Sequence, residues 1–378
     1  MADKNQHPQL TGAEIIWATL AGEGVDQVFG YPGGAILPAY DALRKFPGIH
    51  HVLVRHEQGA SHMADGYARA SGKVGVCMST SGPGATNLVT GIATAMLDSI
   101  PIVAITGQVS SKVLGSDAFQ EVDITGITLP ITKHNWLVTR AEDIAPVLRE
   151  AFQIAKSGRP GPVLVDITKD AQQATAPFDF DAAAPAPHRP HPMLHAESAA
   201  LQQAIELIKQ AKRPVILAGH GILQSGAEAE VIAFAEREQI PVASTLLGLG
   251  AFPTTHPLSL GMMGMHGESW VNNAIQQADL LLAFGMRFDD RVTGNLALYA
   301  PDAKKIHIEI DPSEINKNVK VDVALIGDLK GVLNLLLPLL PNKSDNTWIK
   351  AVNAMKGDAS VRDIINLPDN GHLYAAHV

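Results

Sequence analysis

The sequence cannot form an internal disulfide, because it has a single cysteine, Cys77, among 378 residues. Cysteine this scarce excludes a disulfide-stapled secreted fold and is typical of a reducing compartment. Cys77 stands in the apolar stretch VGVCM, so we expect it to be a small, buried side chain.

Long apolar runs and excess basic charge are also missing. No run approaches the roughly 18 apolar residues of a membrane-spanning helix, and the first residues, MADKNQHPQL, lack the apolar core of a signal peptide. Lys and Arg number 29 against 38 Asp and Glu, for a formal net charge of -9. Without a basic cluster, nucleic acid is a poor partner. We therefore expect a cytoplasmic protein that binds neither nucleic acid nor a membrane.

The first part of the chain alternates between helix-like and strand-like segments. TGAEIIWATLAGEG has apolar residues at helical spacing, whereas HHVLV, KVGVCMSTS and PIVAITG have the composition of short strands. This alternation predicts a mainly parallel sheet with helices on both faces, which is a doubly wound α/β fold. We expect one such domain over residues 11–173.

A second alternating unit follows a segment rich in proline. Residues 174–196 contain five prolines and predict an extended linker. In residues 197–345, apolar strands such as DLLLAFG predict a second doubly wound domain with mainly parallel strands. Residues 346–378 are too few for another independent domain, so we interpret them as a linker and the start of a missing domain.

The stretch HEQGASH invites comparison with the zinc motif H-E-x-x-H, whose two histidines lie one helical turn apart. Here His56 and His62 are six positions apart, which is roughly 240° around a helix. These two histidines cannot face the same metal ion, and we predict no metal site within this sequence.

Glu57, in the same stretch, has two interpretations. An acidic residue at a helix start interacts favourably with the helix dipole, by about 0.3–1 kcal/mol, and needs no function. However, Glu57 precedes Gly59, Ala60, Ala64 and Ala68, whose small side chains predict a helix pressed closely against its neighbours. A carboxylate in a partly apolar cleft can hold or pass a proton near neutral pH. Composition alone leaves both interpretations open.

Two glycine-rich turns have equally open interpretations. SGPGATN, residues 81–87, is either a tight turn or a place where backbone N–H groups meet a ligand. LAGHGI, residues 217–222, resembles the start of a dinucleotide fingerprint with the third glycine out of place. Later strands end in FGMRFDD and IEIDPS, which places Arg287 and Asp311 where ligands collect in open α/β sheets. Ordinary surface charge is the alternative.

Several stretches together closely resemble one protein family. They are YPGGAILPAYDAL, VRHEQGASHMADGYARASGKVGVCMSTSGPGATNLVTGIATAMLDSIPIVAITGQV, GSDAFQEVDITGITLPITKHNW, GMMGMHG, FGMRFDDRVTG and IEIDPSEINKN. In this order and spacing they resemble the large catalytic subunits of acetolactate synthase (acetohydroxyacid synthase), which depend on thiamine diphosphate. The family has a pyrimidine-binding, a central flavin-binding and a diphosphate-binding domain, and the first two correspond to the two domains predicted here.

The resemblance implies an activity and a catalytic set. Family members decarboxylate pyruvate and condense the hydroxyethyl-thiamine carbanion with pyruvate or 2-oxobutyrate, in the biosynthesis of valine, leucine and isoleucine. Glu57 would hydrogen-bond N1′ of the cofactor's aminopyrimidine, while Gln120 and the backbone of Gly34 would polarise a carbonyl or a developing oxyanion. Two further residues would approach the pyrimidine, and three would line the substrate cleft: Pro83 and Asn87, then Ala35, Phe119 and Lys169.

The resemblance also implies FAD, with a structural and no net redox role. The residues that would surround FAD are Arg159, Gly219, Gly221, Thr245, Leu246, His266, Gly285, Arg287, Glu309, Asp311 and Asp328.

This sequence departs from the family in two places. The family holds Mg²⁺ and the diphosphate with a Gly-Asp-Gly motif, but GDL at 327 and GDA at 357 lack the second glycine. We therefore expect the Mg²⁺ site in a missing third domain, and little or no synthase activity from the isolated, truncated chain. The stretch DITKD also lacks the proline that often precedes the lysine in the family, which weakens the role implied for Lys169.

Family active sites form between the first domain of one subunit and the third domain of another. The resemblance thus implies a homodimer or larger homo-oligomer, and a small regulatory subunit as a further partner. Two other interpretations stay open: another flavin-bearing thiamine enzyme, such as a pyruvate oxidase or other carboligase, and a noncatalytic FAD-binding or regulatory fragment. The sequence does not specify the second-substrate preference, feedback regulation or the oligomeric state.

Overall fold

Two six-stranded sheets, one in each half of the chain, form the framework of the molecule. The computed structural model describes residues 7–183, 198–356 and residue 371. It divides the chain into two compact units, Met1–Arg189 and Pro190–Val378. Neighbouring strands within each six-stranded sheet are all parallel. The predicted fold class, α/β with two mainly parallel sheets, is confirmed.

The strands of the first unit form its large sheet and a short ribbon. They are β1 (Gln9–Thr11), β2 (Gln27–Gly30), β3 (His50–Leu53), β4 (Gly75–Ser79), β5 (Ile102–Gln108), β6 (His134–Val138), β7 (Val163–Thr168) and β8 (Thr175–Pro177). The sheet has the order β3-β2-β4-β5-β7-β6, and β8 pairs antiparallel with β1. The predicted linker therefore begins later than residue 174, because backbone pairing with β1 holds residues 175–177. Residues 184–196 of that linker lie outside the described part of the chain.

Helices cover both faces of the first sheet. They are α1 (Gly12–Gly22), α2 (Leu37–Ala42), α3 (Glu57–Ser71), α4 (Pro83–Thr86), α5 (Val89–Asp98), α6 (Ile124–Thr128), α7 (Ala141–Lys156) and α8 (Lys169–Gln173). The apolar residues of α1, α2 and α7 pack on one face, and those of α3, α5 and α6 on the other. Helix α1 begins with a capping box in which Thr11 and Glu14 bond to each other's backbone N–H.

The small residues of α3 allow the close packing that the sequence predicts. Ala60 and Ala64 are fully buried, and a Cβ atom added at Gly75 would lie 2.1 Å from the carbonyl oxygen of Ala64. Cys77 is buried beside them in β4, as predicted. Burial raises the pKa of the Cys77 thiol to about 12, so this thiol stays protonated and unreactive at neutral pH.

The second unit repeats the layered architecture. Its strands are β9 (Pro214–Ala218), β10 (Val242–Ser244), β11 (Ser259–Met262), β12 (Leu280–Phe284), β13 (Lys304–Glu309) and β14 (Val323–Ile326), in the order β11-β10-β9-β12-β13-β14. Its helices are α9 (Ala199–Gln210), α10 (Gly221–Ser225), α11 (Glu228–Glu238), α12 (Ser269–Gln276), α13 (Asp290–Thr293), α14 (Leu329–Leu336) and α15 (Thr347–Lys356). Two apolar cores lie on opposite faces of this sheet.

Helix α15 belongs to the core of the second unit, although its residues fall in the segment interpreted as the start of a missing domain. Trp348 and Val352 lie one helical turn apart and are buried against the sheet. The indole N–H of Trp348 also donates a hydrogen bond to the carbonyl of Pro214, at 3.0 Å. Residues 347–356 therefore pack on the unit that precedes them. Across residues 7–183 and 198–356, no helix combines the length and apolarity needed to cross a membrane.

Candidate functional site

The sheet of the first unit has a topological switch point between β2 and β4. The chain runs from β2 outward to the edge strand β3, and then returns to β4 on the other side of β2. Connections that leave neighbouring strands on opposite sides open a crevice at the carboxyl ends of those strands, and ligands bind there. The loops after β2, β3, β4, β5 and β7 all start from this edge, and each carries residues predicted to be functional.

Glu57 is the first residue of α3, directly after the loop that leaves β3. Its Oε2 accepts a hydrogen bond from Nδ2 of Asn87, at 2.9 Å. A Cβ atom at Gly84 would lie 3.4 Å from Oε1 of Glu57, so the turn after β4 passes beside the carboxylate. The structure thus brings Glu57 and Asn87 together, with Pro83 at the start of the short helix α4 between them.

Two hydrogen bonds of Ala35 help to bind the loop after β2 to the same edge. The N–H of Ala35 donates to Oγ1 of Thr80 at 3.1 Å, and the carbonyl of Ala35 accepts from Nε2 of Gln172 at 2.9 Å. Gly34 is exposed, and a Cβ atom added there would meet nothing within 4 Å. The backbone of Gly34 is therefore open to a ligand, while Ala35 anchors it.

Phe119 and Gln120 lie on the loop after β5, and this loop also approaches the turn after β4. Gly82 has a φ of +55°, and a Cβ atom there would lie 2.6 Å from the carbonyl oxygen of Gln120. Glycine is needed at position 82 because of both its backbone angle and this contact. Gln120 itself has a φ of +58°, and Phe119 is 88% exposed. An exposed phenylalanine beside a crevice is available for contact with a ligand.

Lys169 begins α8 at the carboxyl end of β7, and the next residue ties that helix to the loop after β5. The carboxylate of Asp170 accepts hydrogen bonds from the backbone N–H of Ser111, at 2.9 Å, and from the Ser111 hydroxyl. Burial alone would raise the pKa of Asp170, but these bonds outweigh it and lower the pKa to about 2. Asp170 is therefore ionised at neutral pH and fixes the loop beside Lys169.

Asp166, on β7, is a buried carboxylate below this edge. Thr106 Oγ1 donates to its Oδ1 at 2.7 Å, and Gln108 Nε2 donates to its Oδ2 at 2.8 Å. Burial raises the pKa of Asp166 to about 7, a rise that these two hydrogen bonds oppose and that the nearby charge of Asp123 reinforces. Asp166 was not predicted from the sequence, although an acidic residue inside the apolar stretch VLVDIT was an available signal.

Three other residues of this edge also escaped prediction: Thr80, Gln108 and Gln172. Thr80 directly follows β4, Gln108 ends β5 and Gln172 lies in α8. The local composition is ordinary at each position, so only the fold shows their role. Gly82 and Gly84, by contrast, belong to the turn SGPGATN, whose glycines the sequence analysis noted as a place for ligand contact.

The second unit has its own switch point, between β9 and β12. The turn after β9 contains Gly219 and Gly221, and the turn after β12 contains Gly285. The N–H of Gly221 donates to the carbonyl of Gly285 at 3.0 Å, and a Cβ atom at Gly219 would lie only 2.2 Å from that oxygen. The two turns therefore approach each other closely, at the edge where open α/β sheets bind their ligands.

The other residues predicted in the second unit follow neighbouring strands of the same sheet, at its carboxyl edge. Thr245 and Leu246 follow β10, His266 follows β11, Arg287 follows β12, Glu309 ends β13, Asp311 follows it, and Asp328 follows β14. Leu246 is 69% exposed, and Glu309 is buried. Oε1 of Glu309 accepts hydrogen bonds from the N–H groups of Ile310 and Asp311.

Asp311 and Asp328 each cap a helical turn. Capping of this kind also agrees with the alternative interpretation, in which these residues are ordinary surface charges. Asp311 accepts from the N–H of Ser313, and Asp328 from the N–H of Gly331. Arg159 lies away from the carboxyl edge of the first sheet. It precedes β7 in the first unit, at the amino end of the strand, and its Nε donates to Oγ of Ser99 at 2.7 Å.

Metal-ligating groups do not cluster in the described ranges, 7–183 and 198–356: no three His, Cys, Asp or Glu side chains converge there. Nδ1 of His56 accepts a hydrogen bond from the N–H of Gln58 and caps α3, and His62 is exposed farther along the helix.

The two units correspond to two family models. Residues 10–127 match the thiamine pyrophosphate enzyme N-terminal TPP binding domain, and residues 201–336 match the thiamine pyrophosphate enzyme central domain. The chain belongs to the thiamine pyrophosphate enzymes. The domain predicted to bind the pyrimidine is therefore the first unit, and the predicted central domain is the second unit.

Similar curated proteins are acetolactate synthase large subunits. That of Corynebacterium glutamicum is 54% identical over 354 residues, which is 92% of this chain and 56% of the relative. That of Parasynechococcus marenigrum is 50% identical over 365 residues, covering 94% and 59%, and that of Haemophilus influenzae is 47% identical over 355 residues, covering 92% and 62%. The predicted resemblance is thus confirmed. The chain spans a little over half the length of these relatives.

Proposed function

We propose that the chain acts as an acetolactate synthase large subunit. In this proposal it decarboxylates pyruvate and joins the two-carbon product to pyruvate or 2-oxobutyrate, in branched-chain amino-acid biosynthesis. About 50% identity to proteins of that name, across most of the chain, supports the proposal. The single observation that carries it is the Glu57–Asn87 pair at the switch point of the thiamine pyrophosphate domain.

The residues at this edge fit the aminopyrimidine of thiamine diphosphate. Glu57 offers Oε1 for a ring nitrogen, since Asn87 occupies Oε2. The absence of a side chain at Gly84 keeps the space beside Oε1 open, because a Cβ atom there would lie 3.4 Å from it. Pro83 and Asn87 would contact the ring from the α4 side. When bound, thiamine diphosphate supplies the electron sink that decarboxylation of a 2-oxo acid requires.

The protein's own task in this reaction is to move a proton and to polarise the substrate. Glu57 would donate and take back a proton at Oε1, within hydrogen-bond reach of the ring. The open backbone N–H of Gly34 and the side chain of Gln120 would donate hydrogen bonds to a substrate carbonyl as negative charge develops on it. Ala35, Phe119 and Lys169 would line the cleft around the substrate.

We propose FAD as the ligand of the crevice between β9 and β12. Because Gly219, Gly221 and Gly285 carry no side chains, a diphosphate and ribose hydroxyls would approach the backbone of these turns closely. Arg287 would pair with the diphosphate. We assign a structural role to FAD, with Thr245, Leu246, His266, Glu309, Asp311 and Asp328 around it.

Mg²⁺, a homo-oligomeric assembly and a small regulatory subunit complete the proposal. The sequence has no Gly-Asp-Gly motif for a Mg²⁺–diphosphate complex. We therefore propose that this chain by itself turns pyruvate over slowly or not at all. The test is acetolactate formation by the purified chain with thiamine diphosphate, Mg²⁺ and FAD, and rapid turnover would contradict this part of the proposal.

The role of Glu57 is tested by exchange of the C2 proton of thiamine diphosphate with deuterated water, which needs no turnover of substrate. We expect Glu57→Gln to slow exchange in the presence of the chain by about 10²–10⁴-fold, the usual contribution of a positioned acid–base group. Glu142→Gln is the matched control. Glu142 also stands in the first turn of a helix of the same unit, but it is exposed and pairs only with Arg140 among the described contacts. Equal exchange in all three proteins would refute the assignment.

Another flavin-bearing thiamine enzyme is the second candidate, since the family models do not separate the two. Measuring oxygen consumption with pyruvate distinguishes them. A pyruvate oxidase consumes oxygen as pyruvate disappears, whereas acetolactate synthesis needs none. A chain that binds FAD but exchanges no thiamine proton would instead fit the noncatalytic interpretation.

A further inference from the structure

The segment between β5 and α6, residues 109–123, carries Phe119 and Gln120, and one side chain ties its two ends together. Gln108, the last residue of β5, is 3% exposed. Its Oε1 accepts a hydrogen bond from the N–H of Val109 at 2.9 Å, and its Nε2 donates to the carbonyl of Val122, also at 2.9 Å. The amide of Gln108 therefore closes this segment into a loop.

Asp166 determines which way that amide points. Nε2 of Gln108 donates a second hydrogen bond to Oδ2 of Asp166, at 2.8 Å, and Thr106 holds the other carboxylate oxygen. If the amide were rotated, its oxygen would face two acceptors and its NH₂ group would face the N–H of Val109. Because Asp166 is only 1% exposed, water cannot replace the lost partners, and an unmade hydrogen bond at this depth is costly.

Two further contacts hold the closed loop against neighbouring loops at the edge of the crevice. Near its start, Ser111 donates two hydrogen bonds to Asp170, beside Lys169. Near its end, the backbone of Gln120 rests against Gly82 in the turn that follows β4. A change in the Gln108 amide would therefore move the residues that we propose contact the substrate.

We propose that Asp166 and Gln108 are positioning residues that hold the 109–123 loop, and with it Gln120, at the crevice edge. The part that concerns substrate rests on the proposed function, while the part that concerns the loop does not. Neither residue touches the ligand in this proposal, and both act through the loop backbone.

Limited trypsin digestion of the full chain tests the loop directly. Lys112 is exposed within the loop, and Lys73 is exposed between α3 and β4 of the same unit. The ratio of cleavage after Lys112 to cleavage after Lys73, read by mass spectrometry, reports local opening, since global unfolding accelerates both. We expect Asp166→Leu to raise this ratio about tenfold, equivalent to about 1.4 kcal/mol of local stability.

Asp166→Asn is the conservative control. Its amide oxygen accepts from Gln108 and its NH₂ group donates to the Thr106 hydroxyl, so we expect a ratio close to that of the parent chain. Gln108→Met keeps the side-chain volume and removes both the donated and the accepted hydrogen bonds, so its cleavage ratio should equal that of Asp166→Leu. If Asp166→Leu does not fold, the ratio of Gln108→Met decides the question. An unchanged ratio in Gln108→Met, or equal ratios in Asp166→Asn and Asp166→Leu, overturns the proposal.

A kinetic arm separates this proposal from the proposed function. In any preparation that forms acetolactate, Asp166→Leu should raise KM for pyruvate or lower kcat while leaving thiamine diphosphate affinity unchanged, and Asp166→Asn should restore the parent values. If Asp166→Leu forms acetolactate with the KM and kcat of the parent chain, the part of the proposal that concerns substrate fails, and the trypsin ratio still decides whether Asp166 and Gln108 hold the loop.

Discussion

Gly219, in the turn after β9, gives the strictest test of the proposed flavin crevice. Replacing Gly219 with alanine would place a Cβ atom 2.2 Å from the carbonyl oxygen of Gly285 and 2.6 Å from Cβ of Met286. Ordinary contacts begin at 3.4 Å, so one of the two turns must move by about 1 Å. Overpacking of this kind costs about 1–3 kcal/mol.

Part or all of that cost should reduce the free energy of FAD binding, because the displaced turns flank the proposed crevice. Each 1.4 kcal/mol corresponds to a factor of ten in affinity. We therefore expect Gly219→Ala to raise the Kd for FAD by about fivefold to 100-fold. Titrating the purified chain with FAD and following the change in flavin fluorescence measures this Kd.

Gly66→Ala is the matched control for this experiment. Gly66 lies within α3 of the other unit, and a Cβ atom there would meet nothing within 4 Å, so FAD affinity should not change. If Gly219→Ala keeps the thermal unfolding transition of the parent and also binds FAD as tightly, FAD does not bind in this crevice and the assignment fails.

Three further predictions concern stability. Gly66→Ala should stabilise the first unit against urea by about 1 kcal/mol, since alanine is the better helix former; a loss of stability would contradict the open space described for it. Trp348→Ala should destabilise the second unit by about 3–5 kcal/mol in the same assay, because it empties a buried site and breaks the bond to Pro214. A small effect would show that α15 is not part of the core. The pKa of Asp166 rises from 3.8 in the unfolded chain to about 7 in the folded protein. The folded state thus binds more protons between these values, and stability falls as pH rises from about 4 to 7. Asp166→Asn should flatten that slope in urea titrations at several pH values, and an unchanged slope would contradict the raised pKa.

The layered architecture followed from apolar periodicity, and three strands of the large sheets that periodicity missed have a common physical reason. Strands β6, β11 and β14 are all edge strands of the two large sheets. An edge strand pairs on one side only and is less completely buried, so selection for a continuous apolar run is weak. In β6, HNWLV, only Val138 is buried. The central strands β4, β5 and β12 are buried throughout, and all of them were predicted.

The candidate site was predictable where glycine and charge mark a loop, and not where a polar residue sits inside a strand. The turn SGPGATN was recognisable from its two glycines. The structure explains Gly82, because the loop after β5 approaches it too closely for a side chain. Gln108 and Asp166 lie within the apolar stretches of β5 and β7, and their function as a pair depends on β5 and β7 being neighbours. That adjacency joins residues 58 positions apart, which no local pattern contains.

The two interpretations of Glu57 describe the same physical arrangement and do not compete. Glu57 is the first residue of the 15-residue helix α3, so the helix dipole stabilises its negative charge as it would at any helix start. The hydrogen bond from Asn87 adds to this stabilisation and fixes one carboxylate oxygen. A carboxylate held in this way keeps the other oxygen in a constant place, beside Gly84, and that is what proton transfer to a bound ring requires. The place of Glu57 at the start of the helix would therefore help to position it for the proposed proton transfer.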